Sequence, residues 1–298
     1  MWNRSLAIAC LFPTLYAQLP ANSVASAIAR HADIFQQKAL LMISEETLLQ
    51  RSYKLPPHPH FAIGAAAETV YAAFFLSEVV SQYSIGPVRG DKSGELLEVR
   101  EIVSKDGRSI RTPEVARKAL QRDISSGEVG MRKRLLQEFT ALGLVDVATD
   151  YGLILLAFTT AGSKGIELKP QPVAAAWIGT DPVIAFDWQQ TAGGVLEFRG
   201  RKVNRRPLHG RIWVRRSDAV PLRITASMEH DEPKHRLRDD ATVEYGLSAS
   251  GFVTPASVAH RHFVDEQLLT ENLYTYTPFR VFTTDTVIQF TDPLEPGK

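Results

Sequence analysis

The second half of the sequence, from Tyr151 onward, consists of runs of about five to ten residues with a two-residue hydrophobic period. Glycine, proline, aspartate and serine separate the runs. Because strand side chains alternate between two faces and these four residues favour turns, the pattern predicts an antiparallel meander. The runs are Leu153–Phe158, Val173–Ile178, Val183–Gln189, Val195–Gly200, Gly210–Arg216, Leu222–Met228, Ala241–Leu247, Phe252–Val264, Gln267–Tyr276 and Phe279–Phe290.

One run illustrates how the two faces differ. Ile212 and Val214 lie on one side of the predicted strand, whereas Arg211, Trp213 and Arg215 lie on the other. A sheet of about ten such strands has one covered face and one solvated face. We therefore predict an α+β fold, in which a large curved antiparallel β-sheet of half-barrel shape carries helices packed on one face.

Four helical elements are expected to provide this cover, near residues 21–37, 64–76, 113–124 and 130–143. Thr112 and Pro113 illustrate the signals used, since threonine caps helices and proline suits the first helical position. Gly143 is a typical C-terminal stop. The apolar stretch Phe61–Val80 is about long enough to cross a membrane. Because Glu68 lies near its middle, we interpret this stretch as a packed helix followed by a buried strand.

The first 17 residues have the pattern of a secretory signal peptide. A short positive region ends at Arg4, an apolar run follows, and Ala17 is a small residue at the expected cut. The alternative is cleavage and lipidation at Cys10, the only cysteine in the chain. We predict one mature β-rich domain over residues 18–298, without a transmembrane segment and located in the periplasm or outside the cell.

Composition excludes some functions. The formal net charge is only +1, whereas dedicated nucleic-acid binders carry a clear basic excess. No nucleophile elbow and no strand–glycine–helix nucleotide loop is present in the sequence. We therefore expect no nucleic-acid partner and no cofactor, and the sequence favours a protein that is not an enzyme.

Histidines provide the only candidate metal ligands. His230 and His235 lie in the carboxylate-rich segment Glu229–His235, and imidazole and carboxylate groups are ligands that zinc prefers. His260 and His262 lie two residues apart, on the same face of a predicted strand. The structural alternatives are a charged hairpin loop for the first pair and a solvated polar stripe for the second.

Three tryptophans and a basic cluster are the remaining candidates for ligand binding. Trp177, Trp188 and Trp213 belong either to the core or to the concave face of the sheet, and core packing is the commoner role. The segment Arg199–Arg206 carries five basic residues, which suit lipid phosphate or an anionic glycan or simply form a solvated turn.

Several strands resemble a known group of proteins. The hairpin Leu208–Val214 and Pro221–Ile224 is similar to the G-x-I-W-V…P-x-R-I hairpin of periplasmic proteins of the LolA and LppX group. Val243–Tyr245, Gly251–Pro255 and Glu271–Arg280 resemble the later strands of that group. The resemblance implies a half-closed β-barrel around a helical plug and the carriage of lipids or lipoproteins. It transfers no catalytic residues.

An earlier part of the chain resembles a second group. The segments Leu97–Val103, Asp106–Gly107 and Ser125–Leu142 are similar to secreted, acidobacteria-like proteins of unassigned function. This likeness concerns architecture and implies no activity.

These observations leave three hypotheses. The first is a non-enzymatic periplasmic binding or carrier protein for an apolar or lipid-like ligand, with lipid or a lipoprotein as its partner. The second is an envelope hydrolase whose histidine and carboxylate groups converge in a pocket. The third is a structural or partner-binding envelope module, with a filled core and an exposed apolar patch. The lining of the space between sheet and helices distinguishes them.

Overall fold

A large antiparallel sheet dominates the computed structural model, which describes residues 21–53, 74–87, 96–126, 131–147, 149–191, 197–199, 203–205, 207–233 and 235–281. Twelve strands of these residues belong to the sheet, in the order β4-β3-β2-β1-β13-β12-β11-β10-β9-β6-β5, with β14 paired to β1. The strands are β1 (Met42–Ser52), β2 (Phe75–Pro87), β3 (Leu96–Lys105), β4 (Arg108–Ser109), β5 (Ile166–Ile178), β6 (Asp181–Gln190), β9 (His209–Arg215), β10 (Pro221–Asp231), β11 (Arg236–Leu247), β12 (Val253–Val264), β13 (Gln267–Tyr276) and β14 (Arg280–Val281). A separate hairpin joins β7 (Glu197–Arg199) to β8 (Val203–Arg205).

The two faces of the sheet differ as the alternation predicts. One face, called the inner face below, buries Leu48, Ile212, Ile224, Val243 and Val258 to 1% exposure or less. The opposite, outer face carries cross-strand ion pairs. Two of them join Arg211 to Asp187 and Arg223 to Glu244, each across 2.6 Å. The predicted fold class, a large antiparallel sheet with helices packed on it, is confirmed.

A short apolar segment fills the space over the inner face. Residues Tyr151–Phe158 form a 3-10 helix, called the plug below, and seven of its eight residues are buried. The prediction of a strand at Leu153–Phe158 was therefore wrong. The run is apolar throughout and lacks alternation, and such a run does not distinguish a strand from a buried helix.

Contacts of the plug fit a curved sheet. The plug touches β3 at one side and β11 and β12 at the other, although β2, β1 and β13 lie between them. In a flat sheet, β3 and β11 would be about 24 Å apart at about 4.8 Å per strand. An eight-residue 3-10 helix extends only about 16 Å. Bulges between neighbouring strands, as at Glu244/Tyr245 and His262/Phe263, provide local bending.

Three α-helices lie where the sequence predicts helices. They are α1 (Ala21–Ala39), α2 (Pro113–Ser126) and α3 (Met131–Ala141). Helix α1 covers the plug with a buried stripe that includes Val24, Ile28 and Phe35. Helix α2 packs on β2 and β3 from the outer side, where Leu120 meets Val99 in a separate small core.

Other predicted segments fall wholly or partly outside the described residues. Of the helix expected near 64–76, residues 64–73 are not described, and Phe75 and Leu76 already belong to β2. The predicted signal peptide at 1–17, Cys10 included, lies entirely outside them. Among the helices that the structure describes, none has the length and apolarity needed to cross a membrane.

Gly210 is the position where the sheet least tolerates a side chain. A Cβ atom there would lie 2.0 Å from the backbone oxygen of Thr225, which also accepts a hydrogen bond from Trp188 Nε1 at 3.1 Å. We expect Gly210→Ala to lower the free energy of unfolding by about 2 kcal/mol in urea denaturation, because the backbone must shift. Gly246→Ala is the control, since its Cβ meets nothing within 4 Å. Equal effects of the two substitutions would contradict this account.

Candidate functional site

A buried charge cluster lies on the inner face beneath the start of the plug. Arg100 of β3 donates from Nε to Glu46 Oε1 at 2.7 Å and from Nη2 to Glu46 Oε2 at 2.8 Å. The same Nη2 donates to Glu98 Oε2 at 2.7 Å. All three side chains are 1% exposed. We call these three residues the inner cluster.

Aromatic rings enclose the inner cluster. The Arg100 guanidinium carbon lies 5.1 Å from the ring centroid of Tyr83 and 5.4 Å from that of Tyr274. Both distances are typical of cation–π contacts. The rings provide an apolar environment for the guanidinium, and the carboxylates neutralise its charge. Tyr83 also packs against Tyr276, with centroids 4.9 Å apart. The polar centre of the inner face is therefore small and surrounded by rings.

Glu98 connects the inner cluster to the plug. Its Oε2 accepts the backbone N–H of Asp150 at 2.7 Å, and its Oε1 accepts that of Gly152 at 3.0 Å. In return, the backbone N–H of Glu98 donates to Asp150 Oδ1 at 2.8 Å. This reciprocal bracket satisfies backbone donors that the first turn of a helix leaves unpaired. The start of the plug is consequently fixed to β3 by two carboxylates.

Burial changes the acidity of these groups. Desolvation raises the pKa of Glu46, although the neighbouring Arg100 opposes the change. Desolvation likewise raises the pKa of Asp150, against the attraction of Arg132, whose Nη2 lies 2.7 Å from Asp150 Oδ2. Removal from water disfavours the charged form of a carboxyl group unless partners compensate. The ion pairs on the inner face therefore act mainly against this desolvation cost.

A second buried polar group joins two of the predicted histidines. His260 Nε2 and His262 Nδ1 each lie 2.9 Å from Asp239 Oδ1. Although burial opposes it, hydrogen bonds from both histidines hold the pKa of Asp239 well below its usual range. The ring of Tyr151, the first residue of the plug, lies 5.0 Å from that of His260.

The network around His260 assigns its tautomer. Asn272 Nδ2 donates to the backbone oxygen of Asp146 at 2.9 Å, and Asn272 Oδ1 accepts from Gln50 Nε2 at 2.7 Å. The 3.2 Å contact from Asn272 Nδ2 to His260 Nδ1 therefore makes Nδ1 the acceptor. Nε2 then carries the proton and donates to Asp239. These hydrogen bonds connect strands β11, β12 and β13 with the segment before the plug in one polar network.

The other predicted histidines lie elsewhere. His235 is exposed and pairs with Asp265 at 2.7 Å in a turn, as the charged-loop interpretation of that segment predicts. His230 lies on β10, 4.0 Å from Glu232. In the part of the chain that the structure describes, no group of three or more histidine, cysteine, aspartate or glutamate side chains is arranged to hold a metal. The structure brings His260 and His262 together, but not with His235.

The three predicted tryptophans lie in three different environments. Trp188 is 2% exposed and belongs to the core. Trp213 lies half-buried on the outer face, with the guanidinium carbons of Arg211 and Arg223 at 5.6 and 5.8 Å from its ring. Trp177 of β5, the last strand in the sheet order, is 61% exposed. They do not form one ligand site.

Two open depressions accompany these features. One, of about 780 Å³, lies on the outer face beside Trp213 and Asp187. The other, of about 430 Å³, lies between Glu45, Arg117 and Arg280. Both have mixed polar and apolar linings. The side chains of the basic cluster in Arg199–Arg206 lie outside the described residues, so its role stays a prediction.

Sequence reasoning missed the inner cluster. The sequence contained a signal for it. Leu96, Glu98, Arg100 and Ile102 follow one another at a two-residue spacing, which places the two charged residues on the same face of β3 as the two apolar ones. Glu46 likewise lies two residues before Leu48 and shares its face of β1. A charged residue in register with the inward apolar positions of a strand indicates a buried ion pair, which requires partners that only the fold identifies.

Comparisons with known proteins assign no family to this chain. No protein-family model matches it, and neither does any curated protein. Among solved structures, the crystal structure of the LolA superfamily protein NE2245 from Nitrosomonas europaea is similar, with a TM-score of 0.29 and 12% sequence identity. The alignment covers 87% of this chain and 94% of that chain.

Removal of the Glu98 carboxylate tests the bracket. Glu98→Ala deprives Arg100 and two backbone N–H groups of their acceptor, so we expect a loss of about 3 kcal/mol in the free energy of unfolding. Amide hydrogen exchange at Gly152 and Leu153 should accelerate as well. Glu244→Ala breaks a partly exposed ion pair on the outer face and should cost less than about 1 kcal/mol. Similar costs for both variants would contradict the bracket.

A pH dependence is expected at Glu101, on the outer side of β3. Burial and the neighbouring Asp123 raise its pKa from 4.5 to about 7, although Arg111 opposes the change. The folded protein therefore binds a proton more tightly than the unfolded chain, and this stabilisation is complete below pH 4.5 and lost as the pH rises through 7. After allowance for solvent screening, we expect the free energy of unfolding to fall by about 1–2 kcal/mol as this proton is lost.

The measurement compares urea unfolding of the wild type and Glu101→Gln across that pH range. The wild type should lose stability relative to the variant as the pH rises, because the amide cannot ionise. Glu244→Gln provides the control for a general effect of removing a carboxylate. A constant difference between wild type and Glu101→Gln would refute the raised pKa.

Proposed function

We propose that this protein is a non-enzymatic binding or carrier protein for an apolar, lipid-like ligand that binds to the inner face of the sheet. The observation that carries the proposal is that a separate 3-10 segment, not another sheet, covers this apolar face. The plug contributes Leu153, Ile154, Leu155 and Phe158 to the core. An acyl chain offers the same kind of surface and would replace these side chains.

The energetics set the length of the ligand. Exposing four large apolar side chains costs about 2 kcal/mol each, or about 8 kcal/mol together. An acyl chain regains about 0.8 kcal/mol for each buried methylene, so about ten methylenes offset the displacement of the plug. Specificity for the chain itself would be loose, because apolar burial has no direction. The proposal therefore concerns long-chain lipids.

The attachments of the plug support a segment that opens at one end. Its start is bracketed by Glu98 and Asp150, whereas the loop after it is held by exposed hydrogen bonds. Thr191 Oγ1 donates to the backbone oxygen of Gly165 at 3.2 Å, and the half-buried Asp33 of α1 accepts from Thr160. Asp33 accepts from the backbone N–H of Thr160 at 3.0 Å and from its hydroxyl at 2.6 Å. Exposed hydrogen bonds are worth less than buried ones, so this end should open first.

Residues 1–17 and the cellular location complete the proposal. A signal peptide would place the protein in the periplasm or outside the cell, where lipids and lipoproteins are available as partners. The three hypotheses from the sequence differ in what they require of the inner face. The hydrolase needs a pocket shared by the histidines. In the described residues, His260 and His262 are instead packed around Asp239 beneath the plug.

An apolar reporter tests ligand binding. We expect the neutral dye N-phenyl-1-naphthylamine to bind saturably, with increased fluorescence, and long-chain monoacylglycerols to displace it. Asp33→Ala should tighten dye binding about threefold to tenfold, because it removes two exposed hydrogen bonds at the plug end, each worth about 0.5 kcal/mol. Hydrogen exchange in residues 151–158 should increase when the dye binds.

The matched control is Glu271→Ala, which removes a carboxylate from the outer face without touching the plug. It should leave dye affinity unchanged. Absence of saturable binding in the wild type, together with absence of lipid in native mass spectra of the purified protein, would refute the carrier proposal.

A further inference from the structure

We propose that the ligand of the inner face is a neutral acyl compound with an ester or amide carbonyl, and that Arg100 recognises this carbonyl. This inference rests on the proposed function and adds the chemistry of the headgroup. It starts from one atom, Arg100 Nη1. This nitrogen is buried and has no hydrogen-bond partner among the described residues.

The rest of the guanidinium is fully engaged. Nε and Nη2 donate to Glu46 and Glu98, and the rings of Tyr83 and Tyr274 flank the group. These contacts fix the orientation of Nη1 as well, because the guanidinium is planar. A buried donor without an acceptor is rare in folded proteins and requires a partner or a function. Nη1 is thus an oriented hydrogen-bond donor to which no described residue presents an acceptor.

Charge decides which acceptor suits this position. Two carboxylates, Glu46 and Glu98, already face the single positive charge of Arg100. A third carboxylate or a phosphate would be repelled by both of them in a medium of low dielectric constant. A carbonyl oxygen accepts the same hydrogen bond without bringing a charge. Esters and amides of long-chain acids therefore fit, whereas free fatty acids and anionic headgroups do not.

The apolar surroundings agree with this choice. The Tyr83 ring also contacts Tyr276 and Phe279, with centroids 4.9 and 5.9 Å away. An acyl chain on the inner face beside Arg100 would meet these rings, and its carbonyl would provide an acceptor for Nη1. A buried donor that stays unpaired lowers affinity for analogues that lack the acceptor.

Competition between two ligands with the same chain tests the inference. We would measure displacement of N-phenyl-1-naphthylamine by 1-oleoylglycerol and by oleate at pH 7.5, both below their aggregation concentrations. We expect the ester to bind about tenfold more tightly or better, as one repelled charge predicts. Glu46→Gln keeps the side-chain shape and removes one negative charge, so it should bring the ratio close to one.

Glu244→Gln, on the outer face, is the control and should leave the ratio at its wild-type value. Arg100→Gln is not diagnostic by itself, because it leaves two buried carboxylates without compensation and is expected to unfold the protein. Tighter binding of oleate, or a ratio that Glu46→Gln does not change, would overturn the inference and leave the carrier proposal intact. Binding of neither lipid, with no dye binding, would overturn both.

Discussion

The carboxylate of Glu98 is the contact on which the interior of this protein depends. It neutralises Arg100, accepts two backbone N–H groups at the start of the plug and receives the hydroxyl of Tyr83 at 3.0 Å. Isolated charges in a low-dielectric interior are unfavourable, so each member of this group requires the others. The result is that an apolar segment is held at one defined place on an apolar surface, although apolar contacts alone do not specify position.

The two faces of the sheet have different roles. The outer face carries cross-strand ion pairs, such as Arg223 with Glu244, which keep this face hydrated and the strands in register. The inner face combines apolar rows with two buried polar groups, the inner cluster and the network of Asp239, His260 and His262. Both polar groups touch the plug or the segment before it. Attachment and displacement of the plug are thus controlled by polar contacts, whereas apolar area determines what can replace it.

Much of the fold was predictable, and the failures have identifiable causes. In strands such as Gly210–Arg216, apolar and polar side chains alternate strictly. When one face of the sheet is covered, this pattern fixes which side chains point inward. The plug was missed because an apolar run without alternation has several solutions, and only the curvature of the sheet creates the space that it fills. His260 and His262 were correctly expected on one face, but their carboxylate partner comes from β11, and strand neighbours are set by sheet order. The roles of Trp177, Trp188 and Trp213 depended equally on their place in the sheet.

The sequence by itself determined the alternating strands, the helices near residues 21, 113 and 131, and the separation of an apolar from a polar face. These follow from local backbone geometry, since side-chain periodicity and turn residues act within a few positions. Only the tertiary structure decided that Glu98 and Arg100 meet Glu46 and Asp150, since 54 residues separate Arg100 from Glu46 and 52 separate Glu98 from Asp150. Such contacts depend on which strands become neighbours and how strongly the sheet bends, and both result from packing of the whole chain.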